Sequence, residues 1–269
     1  MKKVTETSSH YNHLEKMSTL ELVENINRED SKIPLVIEGI LADIVPLIDS
    51  IVNRMQKGGR LLYIGAGTSG RLGILDASEC PPTFGVPDDW VIGIIAGGDG
   101  AIRKSVEHAE DDESLAWKDL CAFGADKHDV VVGIAASGTT PYVIGGLRDA
   151  REHGIVTGCI TCNPSAPVIE HADHPIAAVV GPEFVTGSTR MKSGTAQKMI
   201  LNMISTSVMI KLGRVLDNSM VDMKLSNSKL VDRGTKMIVA RFDLPYEEAK
   251  SLLLEHGSVR GVILHFQKG

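Results

Sequence analysis

The sequence predicts an α/β fold in which a parallel sheet is sandwiched by helices. Five short apolar runs, near residues 61–65, 90–96, 129–135, 155–162 and 175–180, alternate with segments of helical periodicity. Strands that alternate with helices of this length form parallel sheets covered on both faces. The 269 residues, of which 43% are hydrophobic, provide enough apolar side chains for one large core. We therefore expect one sheet-centred domain with helical additions at both ends.

Two helices are predicted before the first strand. Ser18 and Glu21 have the spacing of a capping box, at the start of a helix that should run to residue 28. A longer helix is predicted over residues 33–56, because isoleucine and leucine recur there at three- and four-residue spacing. These helices could cover the sheet or pack on a second subunit. Periodicity alone leaves both possibilities open.

The first apolar run breaks into the sequence Gly-Ala-Gly-Thr-Ser-Gly at residues 65–70. A strand, a tight turn and a helix start in this order form an anion site, because Gly67 lets the backbone approach a ligand and Thr68 and Ser69 add hydroxyl groups. The alternative is a glycine-rich connection without a ligand. The turn also matches the dinucleotide pattern G-x-G-x-x-G, but the acidic residue that would hold a ribose falls in a stretch rich in proline and glycine.

A second turn of this kind follows the run near residues 129–135. It contains Ser137, Gly138, Thr139 and Thr140, and Pro141 suits the first turn of the next helix. The carboxyl ends of parallel strands meet at one edge of the sheet, so both turns should lie together. Two hydroxyl-rich turns favour a phosphomonoester on a small molecule. The sequence therefore predicts a sugar phosphate as the ligand rather than NAD.

The remaining segments complete the alternation. Residues 80–87 are predicted as loop, and helices are predicted near 102–109, 114–123, 141–153, 165–171 and 191–212. Helices near 229–240, 246–254 and 257–266 form a small C-terminal helical appendage. The predicted division is an N-terminal helical segment (1–56), a sugar-phosphate-binding domain (57–223) and a C-terminal helical segment (224–269).

A third cluster of hydroxyl groups and cations occupies residues 181–195, before the helix predicted at 191–212. One interpretation is a well-capped helix start. The other places Ser188, Thr189 or Lys192 beside an anionic substrate, and we favour it.

Charge and cysteine usage exclude several classes of partner. The formal charge is −6 and lysine and arginine form no cluster, so nucleic acid is not an expected partner. No apolar run is long enough to span a bilayer, which predicts a cytoplasmic protein with no membrane contact.

Cys159 and Cys162 fall on a predicted strand, where positions i and i+3 face opposite sides, so we expect core cysteines rather than a zinc or redox pair. His171 and His174 have no third ligand at a recognisable spacing, so no metal is expected.

Four stretches, residues 63–73, 76–84, 135–142 and 187–198, together resemble the N-acetylmuramic acid 6-phosphate etherases. The likeness covers residues 18–223. It implies a sugar-isomerase (SIS) domain, a homodimer and no metal or cofactor. It also implies the conversion of N-acetylmuramate 6-phosphate and water to N-acetylglucosamine 6-phosphate and D-lactate, in the recycling of cell-wall amino sugars. The tail from Leu244 resembles the family's C-terminal helical domain but is shorter than that domain.

The resemblance implies that Glu79 and Glu110 are the catalytic pair. In the open-chain aldehyde the C2 proton is acidic and the C3 oxygen is a β leaving group, so elimination followed by hydration needs one acid and one base. Glu79 would be the acid on the lactyl oxygen and Glu110 the base at C2. By residue type alone, Glu79 could cap a loop and Glu110 could be one of four solvated charges in residues 110–113.

Two other functions fit the same fold. An aldose–ketose isomerase also begins by removing a C2 proton, but it needs no acid at C3. A non-catalytic sensor of sugar phosphates, similar to the glucokinase regulatory proteins, would carry two SIS domains, and this chain has room for one. The helices predicted at 33–56 and 191–212 have more apolar surface than is needed to cover one sheet. This excess predicts a homodimer with active sites near the interface.

Overall fold

A five-stranded parallel sheet forms the centre of the fold in the computed structural model, which describes residues 4–106 and 108–268. The strands are β1 Leu61–Gly65, β2 Val91–Ile95, β3 Val130–Ile134, β4 Val156–Thr161 and β5 His174–Ala177. Their order is β2-β1-β3-β4-β5, and every neighbouring pair is parallel. The prediction of a parallel sheet sandwiched by helices is confirmed.

The helices follow the predicted alternation. They are α1 Thr19–Asp30, α2 Ile33–Glu38, α3 Leu41–Met55, α4 Gly67–Phe84, α5 Gly100–Arg103, α6 Leu115–Ala122, α7 Pro141–Glu152, α8 Lys192–Lys211, α9 Ser228–Phe242, α10 Tyr246–His256 and α11 Val259–Lys268. Three short 3₁₀ helices span Val4–Glu6, Leu14–Lys16 and Pro167–His171. Within the described ranges, none of the helices has both the length and the apolar character needed to cross a bilayer.

The chain divides into two compact units. The first contains the residues up to Ala77 together with Asp89–Val208, and the second contains Ser78–Asp88 and the residues from Met209 onward. The predicted division of the chain at residues 56 and 223 stays a prediction.

Helices cover both faces of the sheet in the first unit. Side chains of α6 and α7 pack with Leu62, Ile64 and Val131 on one face. On the other face, α3 approaches β4 so closely that a Cβ atom on Gly158 would lie 2.8 Å from Leu47. Cys159 and Cys162 are buried free thiols, and burial raises the pKa of each to about 12. The prediction of two core cysteines is confirmed.

Two helix boundaries differ from the predictions. The helix predicted over 33–56 is two helices, because glycine is a weak helix former and Ile40, after Gly39, leaves helical geometry with φ −120° and ψ 13°. The loop predicted over 80–87 is wrong, because α4 continues through Pro81 and Pro82. Both prolines lie in its last turn, where Gly85 N–H donates to the Pro81 carbonyl at 3.0 Å and the φ of +63° at Gly85 ends the helix.

Other local predictions have mixed outcomes. The capping box of Ser18 and Glu21 is confirmed. The helix predicted near 102–109 is only the short α5, and residue 107 lies outside the described residues. The helix predicted near 165–171 is a 3₁₀ helix that begins at Pro167.

Helices α9, α10 and α11 build the second unit around a small core of their own. Ile238, Leu253 and Val262 are among its fully buried side chains. The Asn227 side chain caps α9 by accepting the Leu230 N–H at 3.0 Å. The predicted C-terminal helical appendage is therefore confirmed.

Asp76 connects β1, α4 and α8 inside the first unit. Its buried carboxyl group accepts hydrogen bonds from Tyr63 Oη at 3.0 Å and from Ser205 Oγ at 2.9 Å. Burial raises the pKa of Asp76 to about 6, although the hydrogen bonds from Ser205 and Tyr63 act in the opposite direction.

We predict that Asp76→Asn removes a pH-dependent cost to stability. The pKa of Asp76 is higher in the folded protein than its ordinary value of 3.8, so the ionised carboxylate destabilises the fold. The loss of unfolding free energy is absent at pH values below the ordinary pKa, and it is complete at pH values above the pKa of the folded protein. Relative to the wild type, the variant should gain on the order of 3 kcal/mol in unfolding free energy between pH 4 and pH 7, about 1.4 kcal/mol for each pKa unit. Urea unfolding across this range measures the gain.

The exposed aspartate Asp49 on α3 provides the matched control. Asp49→Asn should leave the pH dependence of the unfolding free energy as in the wild type. A difference between Asp76→Asn and the wild type that stays constant from pH 4 to pH 7 would contradict the prediction.

Candidate active site

The turn after β1 is a tight connection that brings α4 close to the sheet. Strand β1 ends at Gly65, and α4 begins at Gly67, whose φ is +53°. A Cβ atom on Gly70 would lie 2.8 Å from the Gly65 carbonyl oxygen, so only glycine permits this approach. The predicted sequence of strand, turn and helix start is confirmed.

The hydroxyl groups of this turn have different environments. Thr68 is partly exposed, whereas Ser69 is buried and its Oγ donates to Gln197 Oε1 at 2.9 Å. Because its single proton is used in this bond, Ser69 offers a ligand only acceptor lone pairs. Such an oxygen suits a hydroxyl or amide N–H of a sugar.

The turn after β3 carries the second group of hydroxyl side chains. Gly138 has a φ of +66°, and the Thr139 N–H and hydroxyl both donate to Ser137 Oγ, at 3.2 and 3.1 Å. Thr140 is the N-cap residue of α7, and Pro141 occupies its first turn, as predicted. The N-terminus of α7 therefore lies directly behind a turn of three hydroxyl residues.

Glu110 lies at a cavity beside the first turn. The cavity has a volume of about 220 Å³, and its lining includes Gly67, Arg71, His108, Glu110 and Asp111. The side chain of Glu110 is exposed, and its carbonyl oxygen accepts the Tyr142 N–H of α7 at 3.0 Å. The structure thus brings Glu110 together with the first turn and with the helix that follows the second.

Arg71, which was not among the predicted site residues, lines the same cavity. Its Nε and Nη2 donate to the carbonyl oxygens of Ile102 and Ala101, each at 2.8 Å. The guanidinium group therefore joins the first turn of α4 to α5, which precedes the segment carrying Glu110. The only sequence signal was a basic residue directly after the turn.

Glu79 lies on α4, in the part of that helix that belongs to the second unit. Its side chain is exposed to solvent. The Glu79 side chain is therefore not part of the buried core, and its assignment as the acid stays a prediction.

The third cluster contains a buried ion pair and a capped helix. Lys192 is 2% exposed, and its Nζ lies 2.7 Å from Glu29 Oε2. Burial by itself would raise the pKa of Glu29, but hydrogen bonds from Lys192, Lys32 and Tyr11 outweigh it and lower the pKa to about 2. The charge that Lys192 would offer to a substrate is therefore already neutralised by Glu29.

Glu183 caps the N-terminus of α8. Its carboxylate accepts the N–H groups of Lys192 and Ser193 at 2.8 and 2.9 Å, and also the Ser193 hydroxyl at 2.7 Å. A carboxylate at this end is favoured by the helix dipole. The well-capped helix start is therefore present, and substrate binding by Ser188 and Lys192 stays a prediction.

No group of three or more His, Cys, Asp or Glu side chains within the described ranges is arranged to hold a metal ion.

Comparisons with known proteins define the class first. The family model of the SIS domain matches residues 102–207, and the model of the glucokinase regulatory protein N-terminal SIS domain matches residues 43–151. Among solved structures, a phosphoheptose isomerase from Francisella tularensis has a similar fold, with a TM-score of 0.55 and 15% identity. The match covers 71% of this chain and 98% of that one. The fold is that of a SIS-domain protein.

The curated relatives define the family. N-acetylmuramic acid 6-phosphate etherases from Porphyromonas gingivalis and Christiangramia forsetii are 61% and 62% identical to this chain. In both cases the match covers 96% of this chain and 94% of the relative. The chain belongs to the N-acetylmuramic acid 6-phosphate etherase family, and the resemblance noted in the sequence is confirmed.

We predict that Lys192→Met lowers the unfolding free energy by about 3 kcal/mol, because it leaves a buried carboxylate without its buried cation. The double variant Glu29→Gln with Lys192→Met should recover most of this loss, because neither charge then remains buried. Urea unfolding of the wild type, both single variants and the double variant gives the coupling energy. A Lys192→Met protein as stable as the wild type would contradict the structural role. A stable double variant that no longer binds sugar phosphate would favour the alternative role as a substrate ligand.

Proposed function

We propose that this chain cleaves the D-lactyl ether of N-acetylmuramate 6-phosphate, giving N-acetylglucosamine 6-phosphate and D-lactate. The observation that carries the proposal is the identity of 61–62% to etherases over 96% of the chain. The two hydroxyl-rich turns and the exposed Glu110 at their edge are consistent with this substrate. An isomerase is not favoured, because the solved isomerase is only 15% identical to this chain. A non-catalytic sensor is not favoured, because the model of the regulatory protein domain matches only residues 43–151, whereas the etherases match 96% of the chain.

The proposed reaction is an elimination followed by a hydration. In the open-chain aldehyde, Glu110 takes the C2 proton while Glu79 protonates the lactyl oxygen, and the C3–O bond breaks to release D-lactate. Water then adds to C3 of the unsaturated aldehyde: Glu79, now a carboxylate, takes a proton from the water, and Glu110 returns a proton to C2. Each well-placed carboxyl group can contribute roughly 10²–10⁴-fold to the rate.

The second turn is the proposed phosphate site. Ser137, Thr139 and Thr140 supply hydroxyl groups, and the positive end of the α7 dipole favours an anion. Gly67, Thr68 and Ser69 of the first turn would lie against the sugar. Because Ser137 Oγ accepts the Thr139 hydroxyl, the Ser137 proton can donate to a phosphate oxygen, whereas Ser69 offers the sugar an acceptor.

The two glutamates should differ in one measurement. Glu79→Gln should abolish lactate release but retain exchange of C2–H with deuterium from the solvent, because an acid at C3 is not needed to form the enolate. Glu110→Gln should abolish both activities. Lactate assays and proton NMR of N-acetylmuramate 6-phosphate in D₂O measure them.

Glu113, an exposed residue of the same acidic run that pairs with Arg148, offers a matched control. Glu113→Gln should retain both activities near the wild-type level. Equal loss of exchange and lactate release in Glu79→Gln would remove Glu79 from the acid role, and wild-type exchange in Glu110→Gln would remove Glu110 from the base role.

We also propose a homodimer formed through the N-terminal helices. Large apolar side chains of α1, α2 and α3 are exposed, namely Leu20, Val23, Leu35, Leu41 and Val45. Leu20 and Leu35 are 67% and 69% exposed, so a partner surface that covered them would remove apolar area from water. A second copy of the chain, presenting the same patch, would cover them.

The proposed location is the cytoplasm, because all four cysteines are free thiols.

Sedimentation of an active sample should give twice the chain mass of 28.9 kDa. Val23→Asp should shift the protein toward the monomer, because it places a charge within the proposed apolar contact. Leu254→Asp, an equally exposed position on α10, should leave the mass unchanged. Full activity from a species of 28.9 kDa would contradict the proposal.

A further inference from the structure

The side chain of Asn163 is buried behind the second turn. Asn163 follows β4 and is 1% exposed. Its Nδ2 lies 3.0 Å from the Ser137 carbonyl oxygen, 3.4 Å from that of Ala136 and 3.0 Å from Thr5 Oγ1. Its Oδ1 accepts the Thr5 N–H at 3.3 Å. All of these contacts are within the protein, so Asn163 does not need a ligand to satisfy its amide.

These contacts fix the orientation of the second turn. The Ala136 carbonyl oxygen also accepts the Cys162 N–H at 2.9 Å, so this peptide group is held toward the end of β4. In a trans peptide the N–H points opposite to the carbonyl, and the described residues contain no cis bond. The Ser137 N–H is therefore directed away from the buried side of the turn, where Asn163 lies.

The turn has little freedom to take another conformation. A Cβ atom on Gly138 would lie 2.3 Å from Ala166 Cβ, and the Gly138 carbonyl oxygen accepts the Val168 N–H at 3.1 Å. Thr5, which is fully buried, approaches Asn163 from a point 158 residues away in the chain. The N-terminal segment thus closes the network behind the turn.

We propose that Asn163, held by Thr5, is a positioning residue that orients the second turn for the 6-phosphate of the substrate. The proposal rests on the proposed function. Only an amide supplies one donor for the Ser137 carbonyl oxygen, a second donor for Thr5 Oγ1 and an acceptor for the Thr5 N–H. An aspartate at this position would place a carboxylate against the Ser137 carbonyl oxygen, and leucine would remove the side-chain donor to that oxygen.

The test compares the affinities of N-acetylglucosamine 6-phosphate and N-acetylglucosamine in each variant by calorimetric titration. Asn163→Leu and Thr5→Val should weaken binding of the phosphorylated sugar about tenfold, roughly the effect of losing one buried hydrogen bond. Binding of the unphosphorylated sugar should change less than about twofold, well below the effect of one hydrogen bond. Thr5→Ser, which keeps the hydroxyl group, should restore the affinity of the wild type.

Thr157→Val is the matched control, because Thr157 is equally buried but donates to the His171 carbonyl at the opposite end of β4. It should affect stability without changing the ratio of the two affinities. If Asn163→Leu does not fold, the comparison of Thr5→Val with Thr5→Ser decides the question.

The failure of this inference is distinguishable from failure of the proposed function. A wild-type protein that releases no lactate from N-acetylmuramate 6-phosphate would overturn the proposed function. A wild-type protein that does release lactate, combined with Thr5→Val and Asn163→Leu variants whose two affinities fall equally or stay unchanged, would overturn the positioning role.

Discussion

Parallel pairing of β1, β3 and β4 is the constraint on which the candidate site depends. The register places Gly65 beside Ile134, and Ile134 beside Ile160, so three strands end at nearly the same level. Each chain segment that leaves this edge carries residues of the site: the first turn after β1, the second after β3 and Asn163 after β4. A shift of one strand by a single residue would turn its side chains to the other face and separate the turns.

Buried and half-buried polar groups then fix the segments that leave the sheet. Glu183 caps α8, Arg71 holds α5, and Asn163 holds the second turn. Burial of such groups is tolerated because each is hydrogen-bonded within the protein. Loss of one partner would leave a polar atom without a hydrogen bond and lower the unfolding free energy. The same logic explains the buried pair of Lys192 and Glu29, which joins α8 to α1. Such contacts make the geometry of the two turns a property of the whole first unit.

The sequence predicted the sheet well and the polar network poorly. Periodicity is a local signal, so strands, most helices and both turns could be located from it. Pro81 and Pro82 were misleading because local rules do not show that they close the last turn of α4. The pairing of Lys192 with Glu29 was not predicted because the two residues are 163 positions apart, and nothing local to Asn163 indicated Thr5 or Ser137 as its partners. The assignment of Glu79 and Glu110 came from family resemblance, since residue type alone did not distinguish Glu110 from its acidic neighbours.

The central claim is that the ether is broken between C3 of the sugar and the lactyl oxygen, by elimination and then addition of water. The most direct measurement is the reaction of N-acetylmuramate 6-phosphate in water enriched in ¹⁸O, with both products analysed by mass spectrometry. We predict ¹⁸O at C3 of N-acetylglucosamine 6-phosphate and none in D-lactate, because lactate leaves with the original ether oxygen. Incorporation of ¹⁸O into the hydroxyl group of lactate would contradict the account, because it would place the cleavage on the lactyl carbon.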